Sequence, residues 1–407
     1  MPVPSAAPEV VTLGCRLNIA ESEQIRAMLG SRDMVVVNSC AVTNDAVAAT
    51  RAAIRRARRA RPASELVVTG CAAEIDPEGF AAMPEVSRIV RNPAKLAPAH
   101  WGADHAPAPL FTHYARAFVE VQNGCDHSCT FCAIPAGRGP ARSVGAGAVI
   151  ERIAALVDAG HREVVLTGVD LTSYGGDLPG APTLGSLVER ILRFVPTLER
   201  LRLSSLDSIE IDDRLFALLV GEPRVMPHVH LSLQAGDDMI LKRMKRRHTR
   251  IQSVRIVERL KAARPGVAIG ADLIAGFPTE SEAMFANTLA LLDDCDVVHG
   301  HIFPFSPRAG TPAARMPDVA PPEVRSRAAV LRARATERRA AWLASLVGTE
   351  QGVLVERPGD RGHAPNFAEV RLVTDAAAPT PSIQMAGRVV PTRIVAAEQQ
   401  HVIGIPR

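Results

Sequence analysis

Lysine is nearly absent from this chain of 407 residues: only Lys95, Lys242, Lys245 and Lys261 occur, and arginine supplies almost the whole basic side. Aromatic residues are scarce at 4%, which argues against a function built on rows of base-stacking rings. There is no run of 18 apolar residues, so a membrane-spanning helix is not expected. The opening MPVPSAAPEV lacks the basic and apolar regions of a secretory signal. We therefore expect a cytoplasmic protein with no membrane association, in which cysteines act as ligands or catalysts instead of disulfides. The net charge of +4 is too small to imply a nucleic-acid partner, and the excess of Arg and Ala reads as coding bias. With 47% apolar and 22% charged residues the composition is that of a folded globular protein, and the length suggests two or three domains.

The first hundred residues alternate strand and helix signals. Apolar runs at Val10–Leu13, Met34–Val37, Leu66–Val68 and Arg88–Val90 are separated by helical stretches near Glu21–Leu29 and Asp45–Arg59. This predicts a parallel sheet covered by helices. The stretch from Asn92 to Pro109 reads as a linker. A second alternation follows, with strands expected at Phe118–Gln122, Glu163–Thr167, Arg200–Ser204, His228–Leu233, Val267–Ile274 and Val297–Phe303. Six βα units are fewer than the eight of a closed barrel, so a partial (β/α)6 barrel is expected. An Arg-rich helix is predicted over Glu323–Leu346, and beyond Gly348 short apolar runs between turns predict a small all-β, OB-like barrel. The fold class is thus a multidomain α/β protein, divided as residues 1–105, 112–345 and 346–407.

Six of the seven cysteines form two groups. Cys125, Cys129 and Cys132 lie in NGCDHSCTFC, after a predicted strand. Three thiolates suit one metal centre. A structural zinc needs a fourth ligand, for which only His127 is near, whereas a [4Fe–4S] cluster on three cysteines keeps one iron open. Structural zinc or redox thiols remain the alternatives. The spacing C-x3-C-x2-C, with Phe131 before the last cysteine, resembles that of radical S-adenosylmethionine (SAM) enzymes. Cys15, Cys40 and Cys71 are far apart in sequence, yet each directly follows a predicted strand. In a parallel sheet such positions share one edge, where ligands bind, so these three can converge on a second centre. Cys295 reads as a buried bystander.

The motifs LGCRLNIAESE, NSCAVTNDA, TGCAAE, NGCDHSCTFCAIPAGRGPARS, LTGVDLTSYG, HLSLQAGDDMILKRMKRRHTR, ADLIAGFPTE and FPFSPRAGTPAA together resemble the methylthiotransferases over nearly the whole chain. The resemblance implies an auxiliary-cluster domain, a partial radical SAM barrel and a C-terminal TRAM barrel. It implies two [4Fe–4S] clusters, SAM, a tRNA partner and an electron donor of flavodoxin or ferredoxin type. Cys125, Cys129 and Cys132 would hold the catalytic cluster, and Cys15, Cys40 and Cys71 the one that carries sulfur. GCRLNIAES is similar to the branch acting at C2 of N6-threonylcarbamoyladenosine beside the anticodon. The alternatives are the isopentenyladenosine branch, the branch modifying a ribosomal-protein aspartate, and a non-catalytic cluster-bearing RNA-binding protein. RGHAPNFAEVRL resembles the TRAM segment of the first branch, from which Ala364 and Phe367 depart.

By the same resemblance the cofactor pocket is expected to include Phe131, Gly168, Asp170, Ser204, Ser205, Gln234, Asp272, Gly276 and Glu280, with Ser306 and Arg308 after the sixth strand. Arg16 is assigned to the RNA, with the substrate's threonyl carboxylate as its partner. Three basic segments stand out, Arg51–Arg61, Leu241–Arg250 and Glu323–Arg339. A solvated helix face is the plain explanation. The second follows strand four on the catalytic rim, so Lys242, Lys245, Arg246 and Arg247, with Arg308, are expected RNA contacts.

Overall fold

The computed structural model describes residues 7–107, 109, 111–373 and 383–407. It opens with a parallel sheet of β1 (Glu9–Thr12), β2 (Met34–Ser39), β3 (Glu65–Gly70) and β4 (Arg88–Ile89), in that order. Helices α1 (Arg16–Leu29) and α2 (Asn44–Ala60) cover opposite faces, and the short α3 (Cys71–Ile75) and α4 (Pro77–Ala81) follow β3. Alternation along the strands sorts the core: Val36 and Val67 pack toward Ile25 and Trp101, while Val35, Val37 and Val68 pack toward Ile54 and Phe80. Burial on both faces explains the unbroken apolar runs. The stretch expected to be a linker is instead packed. Asn92, Lys95 and Trp101 are buried, and the Trp101 indole N–H donates to the Lys95 carbonyl; residue 108 of that stretch lies outside the described residues.

The second body begins with β5 (Arg116–Glu120). A ribbon of β6 (Gln122–Asn123) and β7 (Arg142–Ser143) brackets the cysteine loop and α5 (Ile134–Arg138). Then come α6 (Ala146–Asp158), β8 (Glu163–Thr167), α7 (Leu184–Phe194), β9 (Arg200–Leu203), α8 (Asp213–Gly221) and β10 (His228–Gln234). They are followed by α9 (Asp238–Arg243), α10 (Arg250–Ala263), β11 (Ala268–Ala275), α11 (Glu282–Asp294), β12 (Val297–Pro304) and α12 (Pro321–Ser345). All six expected strands are present. They form two parallel three-stranded sheets, β5-β8-β9 and β10-β11-β12, joined by the bridges Leu201–Val225 and Leu206–Leu231. The barrel is left open between β5 and β12, and α1 of the first body packs on β5.

The chain ends in a closed five-stranded barrel of β13 (Glu350–Glu356), β14 (Arg361–His363), β15 (Glu369–Leu372), β16 (Val389–Ala397) and β17 (Val402–Pro406). Val353, Val370, Ile394 and Val402 fill it, with Leu343 from α12. This is the OB-like architecture expected of a TRAM module. It sits beneath the larger barrel. Arg200 donates to the Gly352 carbonyl (2.6 Å), Arg202 to the Pro365 carbonyl (3.1 Å), and Arg116 pairs with Glu356. These arginines converge on Glu163, which is fully buried and lies 2.9 Å from Arg202 and 3.0 Å from Arg116. Burial alone would raise this carboxyl, but its arginines hold it near 2. No helix among the described residues is long and apolar enough to cross a membrane.

Candidate active site: two cysteine triads facing one cleft

Register places the first triad. Val37 pairs with Val68, Asn38 with Thr69 and Ser39 with Gly70, so Cys40 and Cys71 leave adjacent strands at the same level. Thr12 pairs with Asn38, which brings the β1 turn and Cys15 to that edge. Asn18 ties the turns together, donating to the Leu13 carbonyl (2.6 Å) and the Ser39 carbonyl (3.1 Å). The Ser39 hydroxyl accepts from Ala72 and Ala73 and so caps the helix that Cys71 begins. Gly14, at φ +94°, has no room for a side chain, since a Cβ would stand 2.7 Å from Cys40 Sγ. Burial raises the Cys40 and Cys71 thiols, and the neighbouring Cys15 adds to both shifts.

The second triad lies on the loop after β5. Backbone bonds anchor it across the rim: the Cys125 N–H donates to the Gly139 carbonyl, Thr130 N–H to Met244, and the Thr130 hydroxyl to the Arg243 carbonyl. Burial pushes the Cys125 thiol up to about 12 and Cys132 to about 11. Such thiols give up their protons to a metal, not to solvent at neutral pH.

The donor sets fit clusters. Thiolates on one tetrahedral zinc, with Zn–S near 2.3 Å, would stand roughly 3.8 Å apart. The described residues contain two groups of three ligand atoms all within 4.8 Å, and neither is a cysteine triad. The wider span suits separate corners of a cluster. His127 stands 2.5 Å from Asp170 and 3.0 Å from Arg247, and with Cys125 and Asp170 it forms one of those two groups.

The two triads share one space. Cys71 bears electrostatically on Cys132, and a Cβ on Gly137 would stand 3.2 Å from that of Cys71. Beneath them lies a buried ion cluster. Glu21 meets Lys95 (2.5 Å) and Arg138 (2.8 Å), and Arg138 also donates to Asn18 (2.6 Å) and Asn123 (2.9 Å). The cluster joins α1, which follows Cys15, to α5, which follows Cys132. Burial would raise the Glu21 carboxyl, but Lys95 and Arg138 bring it down to about 2.

A cavity of about 150 Å³ opens at the second triad, lined by Phe131, Asp170, Ser205, Asp207, Gln234 and Arg246. A neighbouring one of about 210 Å³ lies between the two bodies, with Phe131, Gln234, Asp272 and Ser306 on one side and Val42 and Thr43 on the other. Of the expected pocket residues, Phe131, Asp170, Ser205, Gln234, Asp272 and Ser306 therefore converge on these cavities. Ser204 is buried with its hydroxyl unpaired. Gly168 abuts the buried Gln122, whose side-chain Oε1 accepts from the Val169 and Asp170 N–H groups.

The remaining expected residues have other partners. Gly276 and Glu280 face α12: the Gly276 N–H donates to Glu280, which pairs with Arg327 at 2.8 Å, and a Cβ on Gly276 would collide with Val324. They staple the last helix. Arg246, expected at the RNA, is turned inward. Its side chain is 9% exposed, pairs with Asp207 at 3.0 Å and lies 3.7 Å from Cys129 Sγ. Arg308 is buried and bonds Asn44 of the first body. Arg247 is partly exposed but engaged by Asp207 and Glu210. Arg16 points into the barrel interior, near Arg116, Arg202, Glu163 and Asp272. Lys242 and Lys245 are exposed. In the other basic segments, Arg51, Arg55 and Arg61 pair with acids of the first body, and Arg327, Arg334 and Arg338 with Glu280, Asp293 and Asp296. These arginines are engaged in ion pairs within the protein, and Arg327 is buried.

The sequence reading missed Glu21, Lys95, Arg138, Gln122 and Asp207. Lys95 carried a signal: a lone lysine retained in an arginine-rich chain. Cys295 is fully buried in the barrel core, as expected.

An incomplete parallel barrel with a three-cysteine loop leaving its first strand defines a radical SAM protein, and residues 119–292 match the model of the Radical SAM superfamily. Residues 8–91 match a second model, Uncharacterized protein family UPF0004. The "Threonylcarbamoyladenosine tRNA methylthiotransferase MtaB" of Rickettsia prowazekii is 43% identical over 383 residues, 89% of this chain and 91% of that protein. A "tRNA-2-methylthio-N(6)-dimethylallyladenosine synthase" of Cereibacter sphaeroides is 33% identical over 384 residues, 86% and 87% of the two chains. The chain belongs to the radical SAM methylthiotransferase family. Among solved structures, the radical SAM methyltransferase TsrM of Kitasatospora setae superposes with TM-score 0.53 at 15% identity, covering 74% of this chain and 78% of that one. That likeness concerns the fold alone.

Proposed function

We propose that this protein inserts a methylthio group at C2 of N6-threonylcarbamoyladenosine, next to the anticodon of tRNA. The carrying observation is the convergence of two three-cysteine sites on one cleft. When bound, the clusters and SAM supply a radical able to break a C–H bond and the sulfur that replaces hydrogen, chemistry beyond any side chain here. The chain positions the reactants. Cys125, Cys129 and Cys132 would hold one cluster and Cys15, Cys40 and Cys71 the other. Phe131, Gln234 and Asp272 wall the space between the two bodies. Arg246 lays a guanidinium beside Cys129 and is oriented by Asp207. Gln122 holds the Gly168–Asp170 turn against the loop.

The threonylcarbamoyl branch is favoured by GCRLNIAES and by the name of the Rickettsia relative. We further propose exposed Lys242 and Lys245 as tRNA phosphate contacts, an electron donor of flavodoxin or ferredoxin type, and a cytoplasmic setting. Nucleoside mass spectrometry of tRNA from a deletion strain tests the reading. The 2-methylthio form should vanish while the unthiolated threonylcarbamoyl nucleoside accumulates. Loss of the methylthio group from isopentenyladenosine instead would move the protein to the other tRNA branch.

A further inference from the structure

Below Asp272, at the open side of the barrel, lies a third cavity of about 300 Å³, walled by Arg16, His228, His230, His299, His301 and Phe367. Its charge is one-sided. The carboxylates around it are already engaged: Glu163 by Arg116 and Arg202, Asp272 by His230 (3.1 Å) and His301 (3.2 Å), and Glu356 by Arg116 and by His363 (3.0 Å). Arg16 has no such partner. Among the described residues no carboxylate lies within ion-pair distance of it, and its guanidinium rests over the Phe367 ring, 5.4 Å from the centroid. As an arginine, it is a cation at neutral pH. Buried His228 leaves both ring nitrogens unbonded beside it, and buried His299 faces the Asn366 backbone. Burial keeps both rings neutral, so His228 offers an N–H donor. An unpaired cation beside an unsatisfied buried donor is costly until an anion enters. A divalent metal is disfavoured by Arg16 and by Arg339, which bonds His299 Nδ1 at 2.8 Å.

We infer that this cavity is an anion subsite that receives the carboxylate of the threonylcarbamoyl arm while adenine lies above, between Phe131 and Gln234. This rests on the substrate reading above. Asp272 links the two spaces: it lines the upper cavity, and its histidine partners wall the lower one. An isopentenyl arm brings no charge and would leave Arg16 and His228 unsatisfied, so the groups that accept one substrate reject the other. A tRNA backbone phosphate is the second source of a suitable anion.

The test is binding to the full-length, cluster-reconstituted protein of an anticodon stem-loop in three forms: with the threonylcarbamoyl group as free acid, as its methyl ester, and with plain adenosine. The free acid should bind about tenfold to a hundredfold tighter than the ester. Arg16→Gln should bring that ratio close to one, and so should His228→Phe, which is remote from the cysteines and carries the test if Arg16→Gln loses a cluster. Equal weakening of all three forms would assign the pocket to a backbone phosphate and overturn the inference, as would a wild-type protein blind to esterification. Methylthio transfer to the free-acid stem-loop is scored separately. Its absence, with the acid-to-ester ratio intact, would count against the substrate reading while supporting the pocket.

Discussion

Cys125, Cys129 and Cys132 are neighbours on a single loop, whereas Cys15, Cys40 and Cys71 arrive from the ends of three strands. The first set is close by covalent connection, and its shape is imposed from outside through Thr130 and the Met244 and Arg243 carbonyls. The second is assembled by sheet register, with Asn18 and Ser39 tying the turns. A loop triad is therefore sensitive to what surrounds the loop, and a sheet-edge triad to the fit of the strand ends. Glu21, Lys95 and Arg138 couple the two.

The largest expected effect separates the sites. Wild-type protein reconstituted anaerobically should hold about eight irons, two four-iron clusters. Cys129→Ala should lose one cluster and all reductive SAM cleavage, whereas Cys15→Ala should lose the other and keep cleavage. Iron analysis and 5′-deoxyadenosine release read both outcomes, and full zinc occupancy of either triad would break the comparison.

Next is the coupling between them. Glu21→Gln leaves Lys95 and Arg138 buried without their carboxylate, which should cost about 3–5 kcal/mol in urea unfolding. Because the Glu21 carboxyl is held near 2 against an ordinary 4.5, its contribution is in place above about pH 4.5. It is lost as the pH falls toward 2. Stability of the variant should fall less steeply over that range, and identical acid profiles would refute the role assigned to Glu21.

A finer test concerns strand-end fit. Gly14→Ala forces a Cβ against Cys40 Sγ at a left-handed φ, a strain of about 1–3 kcal/mol. The first triad should lose cluster occupancy while the second retains it; loss of both would mean that the sites do not assemble independently. Smallest is the surface effect. Lys245→Glu should weaken tRNA binding modestly and flatten its salt dependence by about one charge, without altering iron content. An unchanged slope would make Lys245 a plain solvated lysine.

Legibility in the sequence followed the same division. The loop triad reads directly from spacing. The sheet-edge triad becomes readable once the apolar runs are recognised as parallel strands, since Cys15, Cys40 and Cys71 then share a level. The six barrel strands were visible as short stretches rich in Val, Leu and Ile between helical segments, either continuous, as in EVVLT, or alternating, as in RLRL and HVHLSLQ. What escaped were contacts set by docking. Glu21 looks like an ordinary helix surface acid until Arg138 and Lys95 are brought to it across the chain. Gly276 and Glu280 lie on the correct rim by topology, but the path of α12 turns them away from the cleft. Arg246 sits in a basic run that reads as an RNA contact, and Asp207 draws it inward.

Glu163 and its arginines have a consequence for building hybrids of this enzyme. The lower mouth of the catalytic barrel is a charged layer, and it is sealed by the Gly352 and Pro365 carbonyls, Glu356 and the ring of Phe367, around which Arg16, Arg116 and Arg202 gather. A graft that swapped the C-terminal barrel for another of the same fold would inherit a bare ionic floor unless it brought equivalent acceptors and a flat aromatic at the same points. Truncation after Gly348 would do more than subtract a surface, because it would open the reaction chamber from below.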